Sequence, residues 1–142
     1  MITIIDYKAG NLTSVKRALD HLGIESQISA DPEIVRRSER IIFPGVGQAG
    51  AAMEVLQSRG LDSALKEAFI QGTPILGICI GCQIILSQSE EGDTTGLNLI
   101  SGTCVRFNLA KKTLKIPQTL FQMTQIAVVC NTKYFDYFFF IL

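Results

Sequence analysis

Apolar residues along the first hundred positions come in two rhythms. Short β-branched runs, at residues 2–5 and 40–43, show no polar alternation and fit strands buried on both faces of a parallel sheet. Between them a helical period takes over. Leu12, Val15, Leu19 and Leu22 make one face over residues 11–22, with Asn11 suited to cap the helix and Gly23 to stop it. Residues 24–28 read as a second strand. Asp31-Pro32-Glu33 reads as an N-cap with proline at the first helical position. Helical patterns follow over residues 51–58 and 61–70, divided by Arg59-Gly60. Residues 74–78 form a fourth predicted strand running into Cys79, with a helix near residues 82–87 and further β pattern at 97–107. Strands alternating with helices imply right-handed crossovers and a mostly parallel sheet, so the fold class is α/β.

The pattern breaks down after Pro117. Residues 118–142 show no clean period, contain no Gly or Pro, and hold six of the chain's eleven aromatics between Tyr134 and Phe140. This segment reads either as an edge strand packed on the core or as a tail foreign to the fold. The expected division is therefore 1–117 for the α/β unit and 118–142 for an aberrant tail.

Composition narrows the function. A chain of 142 residues suits one domain, and thirteen Lys+Arg against thirteen Asp+Glu leave no net charge. Neutrality lacks the electrostatic footprint of a nucleic-acid or anionic-membrane binder. The N-terminus has no basic segment ahead of an apolar one, so the expected address is cytoplasmic. There Cys79, Cys82, Cys104 and Cys130 are expected as thiols, with neither cofactor nor metal.

The chemistry gathers at Gly77-Ile78-Cys79-Ile80-Gly81, between an apolar strand and a helix. A nucleophile flanked by glycines two residues away on each side is the pattern of a sharp strand-to-helix elbow. It holds Cys79 at the carboxyl end of the strand, where open α/β sheets place their sites. The Ile80 N–H is then placed to stabilise an oxyanion. The loop Pro44-Gly45-Val46-Gly47, after the neighbouring strand, is suited to supply a second donor.

Two other readings share the cysteine. Cys79 and Cys82 form a C-x-x-C, which before a helix can be a redox pair, and four cysteines raise the thought of zinc. The distance in sequence between Cys104 and Cys130 speaks against zinc, and a redox pair leaves the flanking glycines unexplained. Cys104 and Cys130 are expected inside the core and Cys82 beneath the elbow helix. His21, the chain's one histidine, falls at the end of the first helix, which should return toward the amino edge of the sheet. It is expected at the surface, away from Cys79.

Residues 6–15 (Asp-Tyr-Lys-Ala-Gly-Asn-Leu-Thr-Ser-Val), Pro44–Gly47 and residues 77–83 (Gly-Ile-Cys-Ile-Gly-Cys-Gln) together resemble the glutaminase subunits of imidazole glycerol phosphate synthases, class I glutamine amidotransferases. The likeness runs from Met1 to about Pro117. It implies a three-layer, flavodoxin-like fold and hydrolysis of glutamine to glutamate and ammonia through a thioester on Cys79. Ammonia would pass to a (β/α)8-barrel cyclase subunit, in histidine biosynthesis. By the same resemblance Gly47, Val46 and Ile80 surround the oxyanion hole, Gly45 and Gln83 lie near the glutamine, and Asn11 faces the cyclase.

The departures matter as much. Lys8 stands where glycine is frequent and Cys82 where methionine is usual. After Lys115-Ile116-Pro117 the family's continuation, which carries the catalytic His and Glu, does not follow. The expectation is a frameshift or truncation near residue 118, an incomplete fold, and a chain unable to turn glutamine over. The alternatives are a non-catalytic amidotransferase-like binding domain and, behind it, a C-x-x-C redox protein.

Overall fold

The computed structural model describes residues 1–8 and 10–105, together with the backbone of two later strands, 126–130 and 138–141. Four parallel strands form its centre: β1 (Ile2–Ile5), β2 (Ser26–Ser29), β3 (Arg40–Gly45) and β4 (Ile75–Cys79), side by side in the order β2-β1-β3-β4. The step from β1 to β2 runs one way across the sheet, whereas the steps from β2 to β3 and β3 to β4 run the other. Right-handed crossovers therefore put the connecting helices on opposite faces. α1 (Leu12–His21) lies on one side. α2 (Pro32–Arg36), α3 (Ala49–Ser58), α4 (Leu61–Ile70) and α5 (Ile80–Ile85) lie on the other. The result is the expected three-layer α/β arrangement.

The two faces are unequal. On the α2–α5 side, Ile5, Ile41, Phe43 and Ile75 from the sheet meet Val35, Leu56 and Leu65 in one large buried cluster. α3 presents Ala49, Ala52, Met53 and Leu56, and α4 presents Leu61, Ala64, Leu65 and Ala68. Each set has the i, i+3, i+4, i+7 spacing of one helical face. Each fully buried Leu or Ile there adds ~1.5–3 kcal/mol of transfer free energy. On the α1 side the buried cluster is Ile4, Leu19 and Ile42, edged by Leu12, Val15, Leu76 and Ile78.

Three local expectations shift. Ile24 N–H donates to the Leu19 carbonyl (2.9 Å), so Ile24 closes the turn after α1 and pairing with β1 begins at Ser26. Leu22 caps α1 beyond its last helical turn and is 67% exposed, leaving the apolar face it was assigned to. The helix expected near 82–87 starts at Ile80, because Cys79 itself is its N-cap, and it ends at Ile85. Its last carbonyls are taken by the returning chain, Leu97 N–H to Ile84 O (2.6 Å) and Leu99 N–H to Ile85 O (2.9 Å).

Residues directly after α5 form β5 (Leu86–Ser89), in a second sheet with β6 (Thr94–Thr95) and β7 (Ile100–Cys104), ordered β6-β5-β7. β7 accounts for part of the β pattern expected at 97–107, and 106–107 fall outside the described residues. So does most of the expected tail. Within it the backbone shows β8 (Ile126–Cys130) antiparallel to β4, and β9 (Phe138–Ile141) antiparallel to β8. Among the described residues no helix is long and apolar enough to cross a membrane.

Candidate active site

The carboxyl ends of β1, β3 and β4 converge, as in other open α/β sheets where ligands bind. At the end of β4, Cys79 has φ 57° and ψ −117°, a conformation that a residue with a side chain rarely adopts. The strain turns the chain abruptly from strand into α5 and leaves the cysteine half-buried at the tip. The flanking glycines make the turn sterically feasible. A Cβ on Gly81 would lie 1.9 Å from the Phe43 carbonyl oxygen. One on Gly77 would lie 2.9 Å from Cys82 N and Cα. The elbow therefore rests directly on the backbone of β3 and β4.

Gly45 is paired in register with Cys79 and is equally hemmed in. Its Cβ would meet the Tyr7 hydroxyl at 2.3 Å and Gly81 N at 2.9 Å. Beyond it the loop opens out: Val46 is 55% exposed, and Gly47, at φ 95°, has open space where a Cβ would stand. Ile80, the first residue of α5, is buried, and Gln83 follows one turn later. The Gln83 Oε1 is shielded from solvent with no hydrogen-bond partner among the described residues. Gly45, Val46, Gly47, Cys79, Ile80 and Gln83 thus belong to two adjacent strand ends and the helix seated on them. Asn11 is set apart. Its Oδ1 accepts from Ser14 N–H (3.2 Å) at the start of α1, and it is exposed. Gly10, next to it, lies against the Pro44 and Gly45 backbone, which brings the Asn11 loop beside the loop that follows β3.

Tyr7 is a residue that pattern reading missed. It is fully buried, its ring centroid 5.3 Å from that of Phe43, and its hydroxyl has no hydrogen-bond partner among the described residues. Burial, and then the charge of the neighbouring Cys79, push its phenol well above the usual range. A buried hydroxyl without a partner carries a desolvation cost of roughly 1–3 kcal/mol. Tyr7→Phe is accordingly expected to keep or raise stability, by up to about 1 kcal/mol, in urea unfolding. A loss greater than that would mean the hydroxyl has a partner.

A cleft of about 360 Å³ also escaped the sequence reading. It opens beside the first turn of α3 and is lined by Gln48, Gly50, Glu54, Glu91 and Thr94, among others. Its walls carry two carboxylates, and it starts one residue past Gly47. His21 is not part of this region. It is exposed at the last turn of α1, next to the turn that leads into β2 and hence at the amino edge of the sheet. Cys82 is buried, as expected, whereas Cys104 on β7 is only half-buried, and there burial raises its thiol above the ordinary range. The Cys130 side chain lies outside the described residues. Among those residues no cluster of three or more His, Cys, Asp or Glu is arranged to hold a metal.

Residues 3–132 match the profile of the family described as glutamine amidotransferase class-I. The chain belongs to that family. Within it, the chain is 56% identical over 110 residues to the imidazole glycerol phosphate synthase subunit HisH of Nitratidesulfovibrio vulgaris strain DP4, covering 78% of this chain and 52% of that one. It is 45% identical over 119 residues to the HisH subunit of Chlorobaculum tepidum, covering 83% and 58%. This amidotransferase chain spans about half the length of the curated relatives it matches. Its fold is also that of a peptidase E protein from Listeria monocytogenes EGD-e, with a TM-score of 0.66, 17% identity, and coverage of 99% of this chain and 85% of that one. At that identity the likeness concerns the fold alone.

Proposed function

We propose that this site is that of the glutaminase subunit of an imidazole glycerol phosphate synthase. The observation that carries the reading is the strained cysteine elbow at the end of β4, with Gly45 locked in register beside it. In this reading the Cys79 sulfur attacks the side-chain amide carbon of glutamine. The N–H of Ile80 and the Val46–Gly47 peptide receive the oxyanion, and collapse expels ammonia to leave a γ-glutamyl thioester that water hydrolyses. Gln83, its oxygen without a partner among the described residues, would bind the glutamine, and Gly45 would form the floor. Glu54 and Glu91 give the adjoining cleft a charge suited to an α-ammonium group. The Asn11 loop, beside the oxyanion loop and exposed, would face the (β/α)8-barrel cyclase that takes up the ammonia.

A glutamine-like diazoketone tests this without requiring turnover. Intact mass spectrometry is expected to show a single covalent adduct on Cys79, competed away by glutamine and absent in Cys79→Ala. Equal labelling of Cys104, or no effect of glutamine, would sink the reading.

A second reading, an amidotransferase-like domain that binds the cyclase without chemistry, is favoured by one observation. The chain's sole histidine stands at the opposite end of the sheet from Cys79. Capture by the barrel subunit, paired with an ammonia assay, separates the two.

A further inference from the structure

Cys82 has no part in the proposed glutaminase chemistry, yet its place relative to Cys79 is specific. Cys79 is the N-cap of α5, and Cys82 is the third residue of that helix. On a helix of standard pitch these two Cα atoms stand ~5 Å apart, within the roughly 4.4–6.8 Å that a disulfide spans. Gly77 lets the Cys82 backbone descend onto β4, the strand that ends in Cys79. Both side chains share one apolar cluster, Cys82 buried within it and Cys79 packed at its edge. Access is unequal: Cys79 is half-buried, whereas Cys82 is 5% exposed. An accessible thiol beside a sheltered one is the arrangement of a sensor cysteine with its resolving partner.

We propose that Cys79 and Cys82 form a reversible disulfide, driven by peroxide, that switches the nucleophile off. The Cys79 thiolate attacks one oxygen of hydrogen peroxide. An S–O bond forms, the O–O bond breaks, and the released oxygen leaves as water after taking a proton, so the sulfur is oxidised by two electrons to a sulfenic acid. Cys82 then gives up its proton and attacks the Cys79 sulfur. The S–S bond forms, the S–O bond breaks, and hydroxide leaves with that proton as a second water. A dithiol reductant reverses the step by two exchanges and is itself oxidised to a disulfide. While the bond stands, Cys79 carries no thiolate to attack an amide carbon. The device needs only the two thiols, so it stands or falls apart from glutamine chemistry.

The test oxidises the 142-residue chain with hydrogen peroxide, digests it without reductant, and reads the peptides by mass spectrometry. The expected result is a Cys79–Cys82 peptide lighter by two hydrogens, with Cys79 alkylation lost and then restored by dithiothreitol. In Cys82→Ala, Cys79 is expected to proceed to sulfinic acid, leaving about tenfold less recoverable alkylation than in the parent chain. The parent measurement holds whether or not the variant folds. Sulfinic acid on Cys79 in the parent, pairing of Cys79 with Cys104 or Cys130, or no oxidation at all would each overturn the proposal.

Discussion

Gly81→Ala is expected to unfold at urea concentrations where the parent is still native, its stability lowered by about 3 kcal/mol or more. The added methyl carbon would sit 1.9 Å from the Phe43 carbonyl oxygen, and that oxygen belongs to β3, which is paired on both sides by β1 and β4. No side chain is available to swing aside. Either α5 lifts off the sheet, uncovering Ile80, Ile84 and Ile85, or β3 moves and loosens two ladders. Overpacking costs about 1–3 kcal/mol where side chains can yield, and occasionally more. Backbone against backbone belongs above that range, about 3 kcal/mol or more, out of a total stability of roughly 5–15. Gly50→Ala is the control. It lies in α3, its Cβ would come no nearer than 3.4 Å to the Thr94 hydroxyl, and alanine in a helix gains about 0.5–1 kcal/mol over glycine. The urea midpoint should fall steeply for Gly81→Ala and hold or rise for Gly50→Ala. An unchanged midpoint for Gly81→Ala would show that α5 does not rest on β3.

The second large effect concerns turnover. The 142-residue chain is expected to release ammonia from glutamine roughly 10⁴–10⁶-fold more slowly than a full-length relative, with or without the barrel partner, which is the scale of losing a triad base. The proposed thioester route needs a group to accept the Cys79 proton and return one to departing ammonia. His21 lies at the far end of α1, ~15 Å along the helix from its start near the site, and it is exposed. It has no route to that task. An ammonia assay should therefore give the same residual rate for the parent and His21→Gln. A parent rate within about tenfold of a full-length relative, or a drop in His21→Gln, would refute the account.

Much of this fold is legible in the sequence. β1 and β3 stand out because strands buried on both faces need uninterrupted apolar runs, and α3 and α4 because each buries one stripe. β5 was missed because Leu-Ser-Gln-Ser has no β-branched residue and only one buried one. Its strand identity comes from pairing with β6 on one side and β7 on the other. The early start of α5 was missed for a related reason. A cysteine is a weak N-cap candidate by propensity, and only the elbow's strain makes Cys79 one.

The elbow glycines, the cysteine between them and the single histidine were determined by the sequence alone, since each is a matter of residue identity at short spacing. The tertiary structure decided which backbone each glycine meets, that the Tyr7 oxygen is sealed beside Gly45, and that Cys82 is sheltered while Cys79 is not. It also decided that a cleft carrying Glu54 and Glu91 adjoins the loop after β3. These facts depend on crossover handedness and strand register, which bring residues dozens of positions apart into contact. A local pattern of polar and apolar positions holds no record of such pairings.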